Sequence, residues 1–197
     1  LPVFDFCNFI QLTRKALFKT VEKEIQHQVA WDNSPRARPK YFQLNQNITT
    51  TELSDLVKNR ILLIPCEESG EVDYINEDPI LRNLFPNISE TNLPPTVMSA
   101  TAAKGLEYAH VFLYNFGVQF RNEGFEFDKS ENNFAFEFFF NKLYVAASRA
   151  QNSLTIIEAD DQSKLPGDKN FWQHFLSPID EPDTRPHYLT QLVTKFP

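Results

Sequence analysis

Glycine is scarce in this chain, at 5 residues in 197. Phosphate-cradling loops built from repeated glycines must therefore be few. Cysteine is scarcer. Cys7 and Cys66 have neither the spacing of a metal site nor the number needed for a disulfide framework, and we read an intracellular protein with reduced thiols, cytoplasmic or, in a eukaryote, nuclear. Cys66 follows the apolar run Ile61-Leu62-Leu63-Ile64 and is expected to be a buried thiol. No apolar run approaches the ~18 residues of a membrane span, and no signal-peptide pattern is present. Basic residues are in deficit: 19 Lys and Arg stand against 26 Asp and Glu, a net charge of −7. That balance argues against a free-standing nucleic-acid binder, which would carry a basic face. Local contacts in a cleft shared with a more basic domain remain compatible with it.

What is present is a core rich in aromatic rings. Hydrophobic residues make up 42% of the chain, and 19 of its residues are Phe. The length fits a single domain over residues 1–197. Residues 1–30 hold a leading helix, periodic over 4–24 with Phe6, Ile10, Leu17 and Val21 near one face. Residues 31–39 read as a loop, 40–44 as a short strand, and 50–57 as a short helix capped by Thr50 or Thr51. The run 61–65 has the pattern of a strand buried on both faces. The acidic stretch 67–78 reads as a surface loop, 79–84 as a helical turn, 96–99 and 110–114 as strands, and 117–133 as a surface insertion. A Phe-rich helix is predicted over 134–150, with Phe136, Phe139, Phe140, Leu143 and Ala147 as its stripe and Phe138, Tyr144 and Val145 widening it. Asn152 reads as its breaker, 153–158 as the last strand, and 160–197 as a tail with a small helix near Trp172 and Phe175. Strands alternating with helices predict an α/β fold with a parallel sheet.

Two segments carry chemistry. The first is SATAAKGLEY, residues 99–108, set between two strands. Loops at the carboxyl ends of parallel strands form ligand sites, and a site at that edge is expected here. Gly105 lets the backbone turn sharply, Glu107 offers a carboxylate suited to ribose hydroxyls, and Ser99 and Thr101 offer hydroxyls to a phosphate or sugar. The second is KLYVAASRA, residues 142–150, at the end of the Phe-rich helix. A cation such as Arg149 is favoured at a helix C-terminus by ~0.3–1 kcal/mol. Its guanidinium also matches phosphate geometry, as in an arginine finger worth ~10³–10⁵ in rate.

Taken together, the two segments resemble motifs V and VI of the UvrD/Rep-type superfamily I DNA helicases. Those read roughly T-[IV]-H-x-[AS]-K-G-L-E-[FY] and L-x-Y-V-A-x-[ST]-R-A, each followed by a strand. The resemblance implies the second, C-terminal RecA-like domain of such a motor: a parallel sheet flanked by helices, without its own P-loop. It implies ATP sandwiched against the N-terminal RecA-like domain of the same protein, Mg²⁺ held by that other half, and single-stranded DNA crossing both, in functions such as DNA repair. By motif match Glu107 would meet the ATP sugar, Gly105 would shape its loop, Lys104 would bridge the ATP and DNA surfaces, and Arg149 would be the finger. Ser99 and Thr101 would face the DNA backbone. The KGLEY core points by analogy to 3′ to 5′ movement.

Departures from the pattern are visible too. Thr101 stands where the family has His, Ala100 where it has a β-branched residue, and Phe138, Phe139 and Phe140 where charged residues precede motif VI. The Asn-[FY]-Arg segment of motif IV is absent, and residues 1–96 leave no room for a large accessory subdomain. There is no G-x-x-x-x-G-K-[ST] sequence, and Gly167-Asp168-Lys169 reads as a surface turn. With Leu1 rather than Met at its start, the chain reads as part of a longer protein and is expected not to turn over ATP alone. Two alternatives stay open: a helicase-like interaction module without catalysis, and a motor directed at RNA.

Overall fold

Alternation along each apolar strand decides how the sheet is covered. Successive side chains of a strand point to opposite faces, so Val111 and Leu113 enter one core while Phe112 and Tyr114 enter another. Leu63 and Leu62 divide in the same way, as do Ile156 and Ile157. A strand buried on both faces needs a helical layer on each side.

The computed structural model describes residues 3–17, 38–44, 50–117 and 132–159. These form α1 (Val3–Leu17), β1 (Lys40–Leu44), α2 (Thr50–Val57), β2 (Ile61–Ile64), α3 (Glu71–Glu77), α4 (Pro79–Leu84), β3 (Val97–Ser99), β4 (Tyr108–Tyr114), α5 (Asn132–Ala147) and β5 (Ala150–Ala159). The five strands make one sheet in the order β1-β5-β4-β2-β3, and every pairing is parallel. The result is the expected α/β architecture, a parallel sheet between helices, consistent with a RecA-like fold. No helix among the described residues is long and apolar enough to cross a membrane.

On one face α1 and α5 pack against each other and the sheet, burying Phe6, Phe9, Ile10, Phe139, Phe140 and Leu143. They run antiparallel: Arg14, late in α1, pairs with Glu137, early in α5, at 2.8 Å. On the other face α2, α3 and α4 contribute Leu53, Ile75 and Leu81 to the second core.

Several sequence expectations shift. The stretch 67–78 is not all loop, because residues 71–77 form α3. Its acidic first turn suits the positive end of the helix dipole, Ile75 is fully buried, and Glu71, also buried, accepts from the Ser99 backbone N–H at 3.0 Å. The Phe-rich helix ends at Ala147, not 150, and Asn152 lies inside β5 rather than breaking the helix. Phe138 does not extend the buried stripe; it is 52% exposed, with the Lys142 ammonium 5.0 Å from its ring centre. Lys142 is the buried member of that helix, donating to the Pro65 carbonyl at 3.2 Å and to Glu67 at 2.6 Å. Cys7 is fully buried, whereas Cys66 is only partly so. Thr50 already lies within α2. Of the insertion expected over 117–133, residues 132 and 133 instead open α5; residues 118–131, the tail from 160, residues 18–30 of the expected leading helix and most of the 31–39 loop lie outside the described residues.

Candidate functional site

The connection from β3 to β4 is too short for a full crossover helix. It leaves the carboxyl end of β3, passes across β2 and reaches the amino end of β4 within residues 100–107. Small residues make this possible. Ala100 and Ala103 are buried in the same core as Leu63 of β2, on the α1/α5 face. A helix-like turn holds the segment together: the Ala103 N–H donates to Ser99 O at 3.1 Å, Lys104 to Thr101 O at 3.0 Å, and Leu106 to Ala103 O at 3.1 Å. The Ser99 hydroxyl accepts from the Ala102 N–H at 3.1 Å, as a capping side chain does. Ser99 is therefore fully buried and turned into the fold. Thr101, Lys104, Gly105, Leu106 and Glu107 are exposed. Gly105 has φ +84°, and a Cβ built there would meet nothing within 4 Å. Its requirement is conformational rather than steric.

Arg149 lies in the turn that joins α5 to β5. Its Nε donates to the Val145 carbonyl at 3.0 Å, its Nη2 to the Ser148 hydroxyl at 2.8 Å, and its Nη1 to the Leu106 carbonyl at 2.9 Å. The first bond satisfies a carbonyl of the last turn of α5, and the second holds the Ser148 hydroxyl, which donates to that same carbonyl at 2.9 Å. The third ties it to the exposed loop 43 residues away. A guanidinium has five N–H donors, so two stay without a partner among the described residues. No carboxylate there lies within ion-pair distance of it. From the other side Cys7 of α1 lies within its field. Burial nevertheless dominates at that thiol and pushes it up to about 12, so it stays protonated.

The two chemistry-bearing segments are thus joined, and backbone bonds reinforce the contact: the Tyr108 N–H donates to the Arg149 carbonyl at 2.8 Å. Their location differs from the sequence expectation. Glu107 precedes β4 and Arg149 precedes β5, so both lie at the amino edge of the sheet, not the carboxyl edge. The cause is the crossover, which begins at the carboxyl end of β3 and delivers Glu107 to the opposite end. Thr101 stays at the start of the crossover, by the carboxyl edge of the sheet, and Lys104 and Gly105 lie between.

Sequence reasoning missed one member of this edge. The Gln151 amide donates to Glu107 Oε2 at 2.8 Å, with both side chains exposed. Beside it the His110 ring and the Ser153 hydroxyl bond at 2.8 Å. The available signal was the polar triplet Gln151-Asn152-Ser153 at the head of an otherwise apolar strand. Among the described residues no three His, Cys, Asp or Glu side chains converge as a metal-binding set.

No protein-family profile matches the chain, and no curated protein matches it. Among solved structures it is similar to the C-terminal domain of a possible DNA helicase from Lactobacillus plantarum WCFS1. Identity is 18%, the match covers 81% of this chain and 89% of that one, and the TM-score is 0.40.

Proposed function

We propose that this chain is the C-terminal, second RecA-like motor domain of a UvrD/Rep-type, ATP-dependent DNA helicase moving 3′ to 5′. In this reading it completes an ATP site with the N-terminal RecA-like domain of the same protein and grips single-stranded DNA. The observation that carries it is the Arg149–Leu106 bond of 2.9 Å, which joins the motif VI-like helix end to the motif V-like loop at one open edge. A finger and a sugar-reading carboxylate must lie together to serve one nucleotide, and Arg149 and Glu107 flank this bond. Arg149 would use its two remaining N–H groups on the γ-phosphate, where a fixed guanidinium stabilises transition-state charge. Glu107 would accept from the sugar, and Gly105 would set the turn that presents it. Lys104 would lie between the nucleotide and the DNA, and Thr101 would contact a DNA phosphate. Ser99 would support that contact from within, since its hydroxyl is held by Ala102. Mg²⁺ would be held by the other half.

Arg149→Ala in the full-length protein is expected to lower ATP-driven unwinding by about 10³-fold or more, with circular dichroism unchanged. Arg149→Lys, which keeps the charge but loses the fork, is expected to recover little. Retained unwinding in either variant overturns the assignment. The acidic balance, net −7, together with the bonds from Arg149 to its own chain, favours a second reading as a non-catalytic interaction module. Intact phosphate-loop and Mg²⁺-binding motifs upstream in the same protein would eliminate it. Unwinding of matched DNA and RNA duplexes separates a DNA motor from an RNA one.

A further inference from the structure

The pairing of β4 with β5 carries one irregularity. Tyr108 pairs with Ala150 and His110 with Ser153, so two steps on β4 oppose three on β5. A bulge of this kind re-aims a side chain and is over-represented beside active sites. Here the extra residue falls in the Gln151-Asn152 pair, and the bulged strand carries the Gln151 amide onto Glu107 Oε2.

That bond changes what Glu107 can do. A free carboxylate has two oxygens and could take both hydroxyls of a vicinal diol by itself. In this chain Oε2 already accepts from Gln151, which takes up one of its lone-pair sites and crowds the other, and Oε1 has no partner among the described residues. The Gln151 carbonyl oxygen is likewise without one there. The edge therefore presents two acceptors on two side chains, Glu107 Oε1 and Gln151 Oε1, joined by a hydrogen bond that fixes one relative to the other. Two linked acceptors suit two adjacent hydroxyl donors, one each.

We infer that Gln151 is a specificity-determining residue of the nucleotide site. It holds Glu107 in place and shares with it the recognition of a ribose 2′,3′-diol. This inference rests on the proposed nucleotide-binding reading, which assigns the sugar to Glu107. It goes beyond that reading by assigning one of the two hydroxyls to Gln151. A site built to pair with a hydroxyl discriminates against the analogue lacking it, because an acceptor is left unpaired.

The test is steady-state ATPase kinetics of the full-length protein with ATP, 2′-deoxyATP and 3′-deoxyATP, for wild type, Gln151→Ala and Glu107→Ala. Wild type is expected to show KM about 3- to 10-fold higher for each deoxy analogue than for ATP, the value of one hydrogen bond. Gln151→Ala is expected to raise KM for ATP to that of one of the two analogues, with kcat and the thermal midpoint unchanged. Glu107→Ala removes one acceptor and also the anchor that fixes Gln151, so it is expected to erase the preference over one analogue and weaken that over the other. A Gln151→Ala protein that keeps both preferences, or in which all three KM values rise together or kcat falls, overturns the role of Gln151 while leaving the sugar at Glu107. A Glu107→Ala protein with no change in any KM overturns the placement of the sugar itself, and this inference with it.

Discussion

The two edges of the sheet spend their polar residues differently. At the carboxyl edge those around Asp78, at the ends of β4 and β5, are turned inward and bonded to one another, while Glu67, Glu68 and Thr101 stay exposed. Asp78 caps α4 by accepting from the Ile80 and Leu81 N–H groups at 2.9 Å, and it also accepts from the Tyr114 hydroxyl at 3.0 Å and the Asn115 amide at 3.2 Å. Asn115, at φ 54°, accepts in turn from the Ala159 N–H at 2.7 Å. Glu158, almost fully buried, accepts from the Gly117 N–H at 2.7 Å. At the amino edge Glu107, Gln151 and His110 stand in solvent with one side-chain bond each. General experience with parallel sheets directs attention to the carboxyl edge. In this chain Asp78, Tyr114, Asn115 and Glu158 commit much of that edge to ending strands and starting helices, with Thr101 left exposed beside them, whereas Glu107 and Gln151 stand exposed together at the amino edge.

The comparison can be broken most forcefully at Asp78. Asp78→Ala removes the cap of α4 and leaves the buried Tyr114 hydroxyl without its acceptor. The expected cost is about 2–4 kcal/mol, read from urea denaturation. A loss below about 1 kcal/mol would mean that water replaces the carboxylate and that this edge is more open than its bonds imply. Asp78→Asn, which keeps one acceptor, should fall between.

A second prediction uses pH. Burial first, and Asp78 next, push the Tyr114 hydroxyl well above the usual tyrosine range, and the same two causes act in that order on Tyr74. Burial, then Glu71, pushes the Cys66 thiol up to about 12 from 9.0. An acid whose pKa is raised by folding keeps its proton in the folded chain after the unfolded chain has lost it. Its stabilising contribution is therefore complete below the unfolded pKa and is lost as pH climbs toward the folded one. Stability should be flat up to about pH 9 and fall above it, by at most about 1.4 kcal/mol per pH unit for each group. Denaturation midpoints at pH 8 and 10.5 measure the fall. Tyr114→Phe should flatten the slope, and an unchanged slope would show that this edge does not hold the protons.

The same contrast explains what could be read from the sequence. The central strands and the Phe-rich helix were legible because burial on both faces writes a continuous apolar run or a helical stripe. α3 was not, since its apolar residues Val72, Tyr74 and Ile75 stand amid acidic ones. Its position depends on Glu71 reaching the Ser99 backbone 28 residues away. Gly105, Glu107 and Arg149 were legible as residue types in a spacing. The edge they occupy was not, because it depends on a crossover that travels from one end of the sheet to the other. Gln151 was hidden for a related reason: the polar triplet Gln151-Asn152-Ser153 marks the head of the strand but does not show which residue the bulge turns onto Glu107.

The finest probe of the open edge is Gly105. Its φ of +84° disfavours any residue with a Cβ, yet a Cβ there would touch nothing within 4 Å. The cost of Gly105→Ala should therefore be the left-handed backbone penalty alone, about 1–2 kcal/mol, and Gly105→Asn should cost less because Asn tolerates that region. If the loop is as lightly packed as its exposure indicates, the two losses differ and both stay small in urea denaturation. A cost above about 3 kcal/mol for both variants would mean that the loop is locked by contacts beyond Ala103 and the Arg149 bond. The amino edge would then resemble the carboxyl edge, a finished structure rather than a surface waiting for a ligand.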